Sequence, residues 1–173
     1  MSHSTAPADP PTTGPGAVPD AGPGLPETGR GRVVMQVRWS DVDLFGHVNN
    51  AAFLRFLDDA RFTLFPLMGV DEVGAMTASR LVVVKHEIDY LAPIRFRPAP
   101  VVVEVWVPRL GRSSVDFAYE VLDGEAPGAT VALRARSRMV QLDHETHTPR
   151  PFTDEERATF AAFPGPSPEL HAW

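Results

Sequence analysis

The chain has 173 residues, 43% of them hydrophobic and 22% charged, which suits one globular domain with a sizeable core. Its net charge of −6 argues against a nucleic-acid partner, and the lack of cysteine excludes disulfides, thiolate metal sites and a cysteine nucleophile. No apolar run approaches the roughly 20 residues of a membrane span, and the start of the chain lacks a charged-then-apolar leader. A cytoplasmic protein without a membrane partner is expected.

Residues 1–32 are rich in Pro, Gly, Ala and Thr and nearly free of large apolar side chains. They cannot bury enough surface to offset ordering entropy, so a disordered tail is expected there. A folded domain should follow over 33–163, with a loose Pro-rich end at 164–173. Residues 33–40 alternate weakly around Trp39 and read as a first strand. A polar turn holding Asp41, Asp43, His47, Asn49 and Asn50 comes next.

Beyond it, Phe53, Leu57, Ala60 and Leu64 recur at helical spacing. Phe56, Phe62 and Phe65 carry apolar character onto other faces, so the helix is expected to be enclosed. Asn50 or Asn49 can cap its start by accepting a first-turn amide hydrogen, and Pro66 with Gly69 should stop it. A helical turn is expected over 71–78. Alternation then predicts strands at 80–90, 101–107, 115–121 and 131–139, joined by turns at Gly111 and Asp123-Gly124. In the first of these, Val82, Val84, His86, Ile88 and Tyr90 should share a face. Arg134, Arg136 and Arg138 should pair across strands with Asp116 and Glu120. A last helix is expected from Glu155 to about Phe163, with Thr153 as its cap. One long helix among mainly antiparallel strands implies an α+β fold, a curved sheet packed around that helix.

The turn concentrates the chemistry. A carboxylate beside a helix amino end sets a nucleophile or base against amide donors suited to an oxyanion. Asp43 is the principal candidate; Asp is also a common turn former, and the residues leave both roles open. Asp41 can hold the loop together. His47 can polarise a carbonyl, orient Asp43 or make a loop hydrogen bond. Gly46 supplies either a backbone conformation or a close approach. Asp58 and Asp59 with Arg55 and Arg61 have helical ion-pair spacing. Asp41, Asp43 and His47 lack the regular spacing of a metal site, and His144 and His147 sit in a polar connection near the C-terminus, so neither a metal nor another cofactor is expected.

The pattern D-x-D-x-x-x-H-V-N-N over Asp41–Asn50, followed by L-D-D-A-R at 57–61, resembles acyl-CoA thioesterases of the hotdog fold, in particular the 4-hydroxybenzoyl-CoA thioesterase-like family. The likeness extends over about 33–142. It implies a hotdog fold and hydrolysis of an acyl-CoA substrate, with coenzyme A part of the substrate rather than a cofactor. It further implies Asp43 as nucleophile or general base, and a backbone N–H at Asn50 as oxyanion donor. Arg112 and Ser113 would lie near the CoA phosphates, and by position and residue type Phe53, Phe56 and Tyr90 would line the acyl tunnel. The family's assembly implies a homodimer or homotetramer with sites at subunit interfaces. Two other readings are a hotdog enoyl-thioester hydratase or dehydratase using His47 with Asp43, and a non-catalytic acyl-thioester binding protein.

Overall fold

A computed structural model of the chain describes residues 29–65 and 80–171. Five strands, β1 (Gly31–Met35), β2 (Arg80–Tyr90), β3 (Val101–Leu110), β4 (Ser114–Leu122) and β5 (Val131–Leu142), form one sheet in the order β1-β3-β4-β5-β2. Every neighbouring pair is antiparallel. The long helix α1 (Asn50–Leu64) packs on β1 and β3. Its stripe of Phe53, Phe56, Leu57, Ala60 and Leu64 meets the inward Val33, Val103, Val105, Phe117 and Tyr119 of the sheet. This is the hotdog arrangement, a curved sheet wrapped on one helix. Gly31 lets the two layers close: a Cβ there would lie 2.5 Å from Leu64 Cδ1.

The expected elements are present, with informative differences. The first strand ends at Met35 rather than Ser40. The Asp41 carboxylate accepts the Arg38 N–H at 2.8 Å, and Arg38 O accepts the Asp41 N–H, which turns the chain through a 3₁₀ turn at Trp39–Asp41. Phe62 is not enclosed. It is 51% exposed and meets Phe65 edge to face, so one side of α1 stays open in the single chain. The second strand does not alternate throughout, because its register with β5 shifts between Val83 and Lys85. Cross-strand partners share a face. Leu81, Val83, His86, Ile88 and Tyr90 therefore face α1, and Val82 turns outward. The helix stop at Pro66 and Gly69 and the turn at 71–78 lie outside the described residues.

The domain borders also differ from expectation. Gly31 and Arg32 belong to β1, and Arg30 stacks on Trp106, 3.9 Å from the ring centroid, while pairing with Glu104 and Glu120. The last helix, α2 (Asp154–Ala161), is capped by Thr153 as expected. Beyond it the chain is tied down rather than loose. Val107 N–H donates to Phe163 O, Trp106 Nε1 donates to Pro166 O at 2.6 Å, and His171 bonds Asp89. This strap crosses the outer sheet face, where Arg134–Glu120 and Arg138–Asp116 pair as the sequence suggests. Arg136 reaches Glu87 instead.

Candidate functional site

The polar turn is a tight hairpin. Val42 bridges Val48, Asp43 N–H donates to His47 O at 2.9 Å, and Gly46 N–H donates to Asp43 O at 3.0 Å. Gly46 has φ 74° and nothing within 4 Å of where a Cβ would stand. Its part is therefore the left-handed backbone of the turn and not a close approach. The hairpin is fixed from below. Val48 N–H donates to Ile94 O at 2.8 Å, His47 bridges Arg95, and Asn49 N–H donates to Asp41 O at 2.8 Å. Asp41 is buried, and its carboxylate binds both the Arg38 amide and the Arg55 guanidinium. Arg55 thus ties α1 to the loop instead of pairing with Asp58 or Asp59. That contact spans 14 positions, and no local spacing signals it. The spacing does signal Arg61–Asp58.

Asp43 is partly exposed at the head of this hairpin. Its Oδ1 accepts the Phe45 N–H at 2.8 Å and the His47 N–H at 3.5 Å. Asp43 therefore does shape the turn, through one oxygen. Among the described residues the other oxygen has no partner and is available for chemistry. His47 meets Asp43 through its backbone, and no bond joins its ring to that carboxylate among the described residues.

Asn49 is the cap of α1, its Oδ1 accepting the Ala51 N–H at 2.9 Å. Asn50 is the first helical residue, and its amide has no protein acceptor among the described residues. The amino end of a helix adds positive potential to that free donor. Tyr90 O–H donates to Asn50 O at 3.3 Å. Burial raises its pKa, which keeps the phenol a donor at neutral pH. Phe53 is buried under Tyr90, ring centroids 5.8 Å apart, and forms an apolar floor beside the helix start. Leu44 and Phe45 stand out at the hairpin tip, and Trp39 and Phe96 form an exposed edge-to-face pair. Nothing in the sequence pattern singles out Leu44, Phe45 or Phe96, and Trp39 reads there only as part of a strand.

Arg112 and Ser113 lie elsewhere. Ser114 pairs with Val140, and Val140 pairs with Val82 near the start of β2. Tyr90, beside Asn50, ends the same strand. At about 3.3 Å per residue the two places are about 26 Å apart in one chain.

Residues 37–170 match the thioesterase-like superfamily. The chain is 30% identical to the Bacillus subtilis protein YsmA over 129 residues, covering 72% of this chain and 81% of that one. A Pseudomonas aeruginosa structure is 34% identical, with a TM-score of 0.65 over 73% of this chain and 95% of the other. A Thermus thermophilus thioesterase, solved in complex with coenzyme A and zinc, is 32% identical, with a TM-score of 0.62 over 76% of this chain and 92% of its own. No helix among the described residues is long and apolar enough to cross a membrane.

Proposed function

This chain belongs to the thioesterase-like superfamily, and from that premise we propose that it hydrolyses an acyl-CoA thioester to the free acid and CoA at the amino end of α1. One observation carries the assignment of residues. The hairpin that offers a free carboxylate oxygen on Asp43 runs directly into a helix whose first amide, at Asn50, has no acceptor among the described residues. The coenzyme A complex of the Thermus thermophilus relative supports CoA as the carrier.

In this reading the thioester carbonyl oxygen accepts the Asn50 N–H. The donor is in place before charge develops, so it stabilises the oxyanion without reorganisation. Asp43 then takes a proton from water as the water oxygen attacks the carbonyl carbon. Collapse of the tetrahedral intermediate breaks the C–S bond, and the CoA thiolate leaves and takes up a proton. Equally, Asp43 attacks directly, CoA leaves, and water hydrolyses the resulting anhydride. Thiolate is a good leaving group, so neither route requires a strong acid. Phe53 and Tyr90 supply the first apolar wall for the acyl group.

The separation of Arg112 and Ser113 from this centre fits a site shared between two copies. β2 is a sheet edge with exposed Val82, Val83 and Val84. Such an edge is a template for another strand. Antiparallel pairing of two β2 strands about a twofold axis would bring the start of one strand, with its Arg112 end, to the Tyr90 end of the other. CoA phosphates would then meet Arg112 and Ser113 of the second copy.

The test is thiol release from short, long and aromatic acyl-CoAs, wild type beside Asp43→Asn. Release that falls by about 10²–10⁴-fold in Asp43→Asn supports both reaction and residue. Equal rates remove Asp43 from the mechanism. An absence of release from every substrate overturns the hydrolase reading.

A further inference from the structure

A second chemically organised feature lies between α1 and the edge strand β2, away from the hairpin. Arg61 is buried on α1, 3% exposed. Its guanidinium pairs with Asp58 and donates from Nη1 to Tyr119 Oη at 2.7 Å. Tyr119 is fully buried and also hydrogen-bonds Ser137, itself fully buried on β5. Ser137 Oγ lies 2.7 Å from His86 Nδ1, and His86 is exposed on β2. A polar chain thus runs from a cation in the core to an imidazole at the surface. An enclosed guanidinium is costly, and a well-packed apolar substitute is often neutral or stabilising. Stability alone gives little reason for this chain of contacts.

The hydrogens in the chain have one consistent order. Arginine only donates, so Tyr119 Oη accepts from Arg61. The phenol is held protonated by burial, which pushes its pKa up, and its hydrogen is then left for Ser137. Ser137 accepts from the phenol and donates its own hydrogen to His86 Nδ1. With Nδ1 an acceptor, neutral His86 carries its hydrogen on Nε2. Burial, and then the charge of Arg61, lower the His86 pKa against the opposing pull of Asp58, which favours that neutral form. The result is a donor of fixed tautomer, exposed on the face of β2 that it shares with Tyr90. It stands four residues along the strand from Tyr90, about 13 Å at the usual rise.

We infer that His86 Nε2–H is a binding site for an oxygen acceptor carried along the acyl chain, a keto, hydroxyl or ether oxygen, with Arg61, Tyr119 and Ser137 as the positioning residues that fix its donor state. This rests on the acyl-thioester reading of the site at Asn50 and adds a preference for oxygenated over plain hydrocarbon acyl groups. A site built to donate to an oxygen discriminates against the analogue that lacks it, because the donor is then left unpaired.

The experiment uses the full chain and non-hydrolysable CoA thioethers. Their tails carry a keto group at successive positions, and each is matched to its methylene counterpart. Wild type is expected to bind the keto compound about tenfold tighter at one stretch of positions. His86→Leu should bring that ratio to about one, His86→Gln should restore part of it through its amide donor, and Tyr119→Phe should weaken it while leaving the methylene series unchanged. No preference in wild type at any position, or a preference that survives His86→Leu, overturns the inference. A His86→Leu protein that loses its assembly while keeping the preference also overturns it, and assigns the relay to subunit contact. Thiol release from the matching esters is measured in parallel. Failure of release with an intact binding preference sinks the hydrolase reading alone.

Discussion

Asp41 and Asp43 are the same residue type two positions apart, and their surroundings give them opposite tasks. Asp41 is sealed in, and its carboxylate binds the Arg38 amide and Arg55. Removing it takes away the acceptor of the Arg38 amide, opens a gap where a buried carboxylate stood, and frees α1 from the loop. Asp41→Ala should therefore cost about 1–3 kcal/mol of stability, discounted because Arg55 is itself 44% exposed. Asp43 uses one oxygen in the turn and keeps the other free. Asn can supply the same turn-forming oxygen, so Asp43→Asn should change stability by no more than about 0.5 kcal/mol while abolishing hydrolysis. Thermal unfolding read beside thiol release separates the two. A large loss of stability in Asp43→Asn would recast Asp43 as structural. Asn50→Ala is expected to be nearly silent in both assays, because the proposed contribution of Asn50 is its amide.

At the scale of elements, contacts between segments decide what alternation leaves open. The C-terminal strap depends on Gly165, where a Cβ would stand 2.2 Å from Trp106 Cδ1 in a ring that is itself buried. Gly165→Ala should destabilise by about 1–3 kcal/mol, since neither the indole nor the strap has room to give; chemical denaturation measures it. Helix α2 depends on Glu156, which completes the capping box with Thr153 and binds Arg150 through both oxygens. The Arg150 hydrogen bonds hold its pKa below the ordinary 4.5, against the opposing effect of burial. A depressed folded-state pKa stabilises above the unfolded value and is lost as pH falls through the folded one. Wild type should therefore lose part of its stability below about pH 4.5, and Glu156→Gln should lose that part at neutral pH and show a flatter acid limb. Identical acid limbs in the two proteins would remove Glu156 from the account. The five strands, the long helix and the capped last helix were legible because each is a local pattern. The register shift after Val83 was not, because it is set by backbone pairing with β5, far along the chain; the one after Trp106 lies within the β3–β4 hairpin, and residue alternation does not mark it. The strap was illegible for the same kind of reason: its composition reads as loose, and Trp106, Asp89 and Arg136 hold it from the sheet.

For the whole molecule, the question is whether one chain holds a complete site. The hairpin could be read from sequence because its chemistry lies within ten residues, Asp41 to Asn50. Arg112 and Ser113 could be recognised as phosphate-binding types, but their distance from Asp43 depends on which end of the sheet they occupy. Antiparallel register places them at the far end. Two copies paired along β2, as proposed, would reunite the halves, and such an arrangement has a strict consequence. Asp43→Asn and Arg112→Ala chains should each be impaired alone, the first in turnover and the second in its KM for CoA esters. In a mixed dimer, Asp43 of the Arg112→Ala chain faces Arg112 of the Asp43→Asn chain, and one intact site forms. Unfolding and refolding an equal mixture should then return about a quarter of the wild-type rate, since half the dimers are mixed and each has one good site. If each chain built its own site, every site in the mixture would carry one lesion and no activity would return. Introducing a charge at the exposed edge, Val84→Lys, closes the argument. It should lower the mass in solution to that of one chain and abolish the recovery, whereas recovery by a monomer would place both halves of the site in one subunit.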